Sequence, residues 1–178
     1  MTKLITTLMF LVVALAACAT APSTTEARDN LKSRALATVQ EMTARDPGLQ
    51  DLLDHSAGYA VFPDIGKAGV VVGGAYGRGV LFEHGGSSGY VSLTEGSIGA
   101  QLGGQTISEL IVFHDRFEVD HLKAGSFQLG ADASAVAITT GAAAAARFTD
   151  GVAVFALPRG GLMAEISVSG QKLNYQGG

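Results

Sequence analysis

The side chains in this 178-residue sequence that could carry out chemistry are few and scattered. Histidines stand at positions 55, 84, 114 and 121. His114-Asp115 and Asp120-His121 each pair an imidazole with a carboxylate able to orient it, but neither gives the H-E-x-x-H spacing of a zinc helix. A single cysteine excludes both a thiolate cage and a disulfide framework. Asp132 and Ser134 supply an acid and a hydroxyl, yet Gly130-Ala131-Asp132-Ala133-Ser134 is not the G-x-S-x-G elbow that exposes a nucleophilic serine, and Ser167 to Gly170 is not one either. Gly73-Gly74-Ala75-Tyr76-Gly77-Arg78-Gly79 looks suited to cradling a phosphate. It lacks G-x-G-x-x-G, no βαβ pattern surrounds it, and no segment supplies G-x-x-x-x-G-K-[ST]. A hairpin bend is the expectation there. The sequence predicts no catalysis, metal, cofactor or small-molecule substrate.

The cations carry a different prospect. Lys67, Arg78, Arg147, Arg159 and Lys172 all stand beside glycines or turn residues. Gathered at one end of a sheet, they would hold lipid phosphates. With a formal net charge of -4, an isoelectric point near 5.5 and no run of Lys or Arg, a nucleic-acid groove has no electrostatic basis. Because 47% of the residues are apolar and only 16% charged, the chain is expected to fold around a core.

Cys18 is the one residue whose position alone specifies a modification. It ends Leu15-Ala16-Ala17-Cys18, behind Lys3 and an apolar stretch from Leu4 to Ala17 that is too short to span the roughly 30 Å of a bilayer core. The pattern resembles a lipobox. Residues 1–17 would then be a signal peptide and Cys18 the lipidated N-terminus. Two or three acyl chains, palmitate among them, anchor stably at about 0.8 kcal/mol per buried methylene. Ala19, rather than Asp, follows the cysteine, so the expected location is the outer membrane, facing the periplasm. Residues 18–25 are small and polar and predict a flexible tether. Residues 26–178 are expected to form one domain.

Ala27, Leu31, Ala35, Val39 and Met42 recur at helical spacing, with Thr25 as the expected N-cap and Pro47-Gly48 as a stop. Leu31, Val39 and Met42 would face either a membrane or the sheet. Leu49, Leu52 and Leu53 predict a second short helix. Strand patterns follow: Tyr59 to Phe62 ending at Pro63, Val70 to Val72, Val80 to Phe82, a hairpin through His84 to Gly89 into Tyr90 to Leu93, and alternation at Ile98, Ala100 and Leu102. Ile107 to Phe113 reads as a strand buried on both faces. Arg116 to Lys123 predicts a helix closed by Gly125, and alternation resumes at Phe127, Leu129, Ala131, Val136 and Ile138, then at Leu162, Ala164, Ile166 and Val168. Ala142 to Ala146 is a loop or short helix over the sheet. The fold class is α+β: helices packed on a strongly twisted, glycine-rich antiparallel sheet or partial barrel.

Five segments in order, Gly58 to Pro63 with Gly66 to Gly69, Gly73 to Gly79, Gly99 to Gln105, Gly130 to Ser134 and Arg159 to Glu165, resemble the SYLF domain. The resemblance covers about residues 26–176. It implies a lipid- and membrane-binding module, phosphoinositide-like head groups as ligands and, among yeast members, actin. In the first helix Glu26, Asp29, Glu41 and Asp46 offset Arg28, Lys32, Arg34 and Arg45, so the basic helix of phosphoinositide binders is not reproduced. The expectation is a non-enzymatic lipoprotein domain contacting membrane phospholipids through Leu31, Val39, Met42, Lys67, Arg78, Arg147 and Arg159. The alternative is a structural lipoprotein docking another envelope protein.

Overall fold

A computed structural model describes residues 20–69, 72–98, 103–130, 132–161, 168 and 170–178. The expected lipidation at Cys18 lies outside the described residues, as does most of the alternation at 98–102 and 162–168.

Helix α1 (Thr25–Arg45) is capped by Thr24, one residue before the expected position, whose Oγ1 accepts from the Ala27 amide at 3.2 Å. Helix α2 (Gly48–Asp54) follows. Four long strands come next: β1 (Gly58–Gly69), β2 (Val72–Glu83), β3 (Gly86–Ile98) and β4 (Gly103–Phe113). Helix α3 (Arg116–Ala124) begins at Asp115, whose carboxylate accepts from the Phe117 amide, and ends at Gly125 as its sequence predicts. Strands β5 (Ser126–Gln128) and β6 (Ala135–Ala137), helix α4 (Ala142–Ala145), and strands β7 (Val152–Gly161) and β8 (Lys172–Gly177) complete the chain.

The strands form one curled half-barrel sheet in the order β5-β8-β3-β2-β1-β4-β7-β6. Its neighbours pair antiparallel except β6 with β7, so the sheet is mixed rather than wholly antiparallel. Pro63 does not end β1. The register of β1 shifts at that point against both β2 and β4, so the proline sits in a bulge, where no ladder donor is needed. Nor does the run Gly73 to Gly79 bend. It is continuous strand, and a Cβ at Gly79 would lie 2.4 Å from the Val61 carbonyl oxygen, so glycine there permits close strand approach. The turn falls later, at His84 and Gly85, both with positive φ and flanked by the Glu83 and Gly86 pair.

Both faces of the sheet are buried. Val61, Val80, Phe82, Tyr90, Leu110, Val112 and Phe155 pack with Leu31, Ala35, Val39, Met42 and Leu49 of the helices. Ala60, Phe62, Leu81, Val91, Ile111 and Phe113 pack on the opposite face with Val119 and Leu122 of α3. Strand β4 alternates between the two clusters, which accounts for its near-continuous apolar run.

The N-terminal segment is docked over its described part. Thr20 Oγ1 lies 3.1 Å from Ser92 Oγ, the Ala21 amide donates to Gln176 Oε1 at 3.1 Å, and Ala21 is 4% exposed. Polar side chains of β3 and β8 thus hold the stretch that its composition predicts to be a loose tether.

Candidate functional site

Leu31, Val39 and Met42 point from α1 into the sheet and are buried. This corrects their expected role as membrane contacts: the α1 apolar face is consumed by packing, at roughly 1.5 to 3 kcal/mol per large side chain. Two of the helix's cations also turn toward the sheet, while Arg34 and Arg45 stay about half exposed. Arg28 and Lys32 lie over the Tyr90 ring, at 5.5 and 5.7 Å from its centroid, and Arg34 pairs with Asp64.

The five cations singled out by their glycine neighbours do not gather at one end: the two-residue strand period puts Lys67 on one face and Arg78 and Arg159 on the other, Lys172 begins β8, and Arg147 is outside the strands. Arg78 is on the α1 face, opposite Asp64 in the register and 5.8 Å from the Tyr76 ring centroid. Arg159 is on the same side: its Nε donates to Ser108 Oγ at 2.6 Å, Ser108 donates to the Pro63 carbonyl, and Arg159 also pairs with Glu41. That hydrogen bond holds the Glu41 carboxyl below its usual range. Lys67 points to the other face, and Arg147 is exposed beyond α4.

Between the first half of α1, the β1 bulge and β2 lies a groove of about 570 Å³. Arg34, Asp64, Tyr76 and Arg78 line it, together with Pro22 and Thr24 of the docked N-terminal segment. Tyr76 is 40% exposed there.

The opposite face holds a polar row that the sequence reading does not single out. Gln105 of β4, Lys67 of β1, Ala75 of β2 and Glu95 of β3 occupy one cross-strand register. Lys67 Nζ reaches Glu95 Oε2 at 3.0 Å, with both side chains no more than 10% exposed. Four residues after Gln105, on the same face of β4, Glu109 is fully buried, and Gln171 Nε2 bridges it to Glu95, at 3.1 Å to Glu109 Oε2 and 3.3 Å to Glu95 Oε2. Burial pushes the Glu109 carboxyl up to about 7, against the opposing pull of the Gln171 hydrogen bond and Lys67. The available signal is a glutamate inside a largely apolar run, Ile107 to Phe113. Asp132 and Ser134 are both exposed, and among the described residues no three His, Cys, Asp or Glu side chains form a metal-binding group.

Comparison with known proteins fits this architecture. Residues 94–176, a little under half of the chain, match the Ysc84 family, described as Las17-binding protein actin regulator. This is the SYLF domain family that the glycine-centred segments resemble, and residues 94–176 are similar to it. Beta cell expansion factor A of Aeromonas veronii is 25% identical over 148 residues, 83% of this chain and 56% of that protein. The chain thus spans just over half the length of this relative. SYLF domains are, as a family, lipid-binding.

Proposed function

We propose that this chain is a non-enzymatic lipid-binding domain tethered through a lipidated Cys18 to the periplasmic face of the outer membrane. The observation that carries the reading is the family match over residues 94–176. The groove supports it. Arg78, and Arg34 paired with Asp64, place two guanidinium groups in its lining, of the type that binds phosphate, and the exposed Tyr76 adds an amphipathic ring of the kind favoured at membrane interfaces. Pro22 and Thr24, four and six residues after Cys18, form part of its rim, so an acylated Cys18 would hold the groove close to the head groups.

Co-sedimentation of residues 19–178 with liposomes tests the reading. Binding to phosphatidylglycerol or cardiolipin vesicles at low salt, weakened in Arg78→Ala, is the expected result. Absence of binding to either anionic lipid overturns it.

An exposed aromatic surface favours a second reading, docking to an envelope protein. Phe117 is 74% exposed beside His121, and Phe148 is partly exposed against His114, with ring centroids 6.2 and 5.0 Å apart. Envelope cross-linking that returns one dominant protein partner through this surface, in a lipid-independent manner, would favour docking.

A further inference from the structure

Glu109 and Gln171 are joined by one hydrogen bond where their two polar ends could make two. Gln171 Nε2 donates to Glu109 Oε2, and the sister oxygens, Glu109 Oε1 and Gln171 Oε1, are both buried with no hydrogen-bond partner. The orientation of the Gln171 amide is set independently, since the same nitrogen donates to Glu95 Oε2; turned over, its oxygen would face that carboxylate. Two unsatisfied acceptors on groups already joined by one hydrogen bond represent a substantial cost in a dry interior. A single hydrogen on Glu109 Oε1, donated to Gln171 Oε1, satisfies both and closes a cyclic acid–amide pair.

We infer that Glu109 and Gln171 form a binding site for one proton, taken up from solvent onto Glu109 Oε1, which fastens the start of β8 to the centre of the sheet. The surroundings favour a proton over a metal ion. The charged groups facing Glu109 are Lys67 from β1 and Glu95 from β3, already paired with each other, so the Lys67 ammonium opposes a second cation. The other elements on that face present apolar side chains: Ala75 and Leu81 from β2, Val154 from β7, Leu122 from α3 and Leu173 from β8. Losing the proton would leave a buried carboxylate oxygen opposite the Gln171 oxygen. The repulsion falls on residue 171, directly before the strand that β3 and β5 both pair with.

A carboxyl raised from 4.5 to about 7 on folding binds its proton more tightly in the folded chain, so its stabilisation is complete below pH 4.5 and lost as pH rises through 7. Glu109→Gln supplies the donor permanently and mimics the protonated state. Urea unfolding of the full chain, followed by circular dichroism at pH 5 and pH 8, reads the effect. The wild-type folding constant should fall relative to that of Glu109→Gln by a factor on the order of 100 between the two pH values, and parallel profiles would overturn the inference. Should the variant not fold, the glutamate side-chain carboxyl resonances of the wild-type chain decide: one must titrate near pH 7, and none doing so overturns it. Stabilisation by added calcium or magnesium in wild type but not in Glu109→Gln would also overturn it, in favour of a cation site.

Discussion

Lys67 and Glu95 form an ion pair across a strand that carries neither of them. Lys67 is on β1, Glu95 is on β3, and Ala75 of β2 lies between them in the same register. Strands about 4.8 Å apart put the two backbones nearly 10 Å from each other, and only a small central residue lets the two long side chains meet above it. The pair is buried, so its worth depends on both members being present. Lys67→Met should destabilise the fold by about 3 kcal/mol, because Glu95 is left charged and without its cation. Adding Glu95→Leu should recover most of the loss. Urea midpoints of the single and double variants check this, and equal destabilisation in both would show that the pair is not the cause.

Asp46 ties three elements together. Its Oδ2 accepts from the Ala143 amide at 2.6 Å, and its Oδ1 accepts from the Gly141 and Gly48 amides at 3.2 and 3.3 Å, joining the end of α1 to α4 and α2. The Ala143 amide above all, with the Gly141 and Gly48 amides, holds its carboxyl below the usual aspartate range despite its burial. Asp46→Ala should cost roughly 2 kcal/mol, since buried donors lose their acceptor. A lowered folded-state value gives stability that is present above pH 3.8 and lost as pH falls below it. The stability gap between wild type and Asp46→Asn should therefore be widest near neutrality and shrink below pH 3.8. A gap that holds constant into acid would contradict the assignment.

Residue patterning makes α1 legible because its buried positions repeat at helical spacing, and α3 legible because Asp115 and Gly125 bracket it. Other features depend on packing. In Gly73 to Gly79 local preference favours a bend, whereas the fold uses the absent side chains to bring β1 and β2 together. Strand β7 is an apolar run ending at Pro158-Arg159-Gly160-Gly161, and β8 is six residues long with only Leu173 and Tyr175 alternating, so neither carries a strong strand signal alone. The site divides in the same way. The cations are visible in the sequence, but which face each takes depends on register, and Gln171 meets Glu109 only because β8 crosses to β3.

Met42 decides between two roles for α1. It is wholly buried with Val39 and Leu31 against the sheet, while Leu36 on the same helix is 48% exposed. Met42→Ala should lower stability by about 3 kcal/mol, from lost burial and the cavity left behind. Leu36→Ser should change it by less than about 0.5 kcal/mol. Thermal or urea unfolding without lipid is the measurement, and a Met42→Ala protein as stable as wild type would return the apolar face to the membrane.

The glycines make the sharpest stability test because their surroundings differ so much. A methyl at Gly79 would lie 2.4 Å from the Val61 carbonyl oxygen and 2.8 Å from the Phe62 ring, across the β1 and β2 pairing. Backbone cannot retreat as a flexible side chain can, so Gly79→Ala should cost about 2 kcal/mol or more through strand displacement. Gly66 and Gly96 also lie within strands, yet a Cβ at either meets nothing within 4 Å. Alanine at those two positions should be neutral or stabilise by roughly 0.5 kcal/mol, since it narrows the unfolded ensemble without a clash. Urea midpoints of the three single variants should therefore separate Gly79 from the other two. If all three fall together, strand propensity rather than close approach accounts for the glycine content of this sheet.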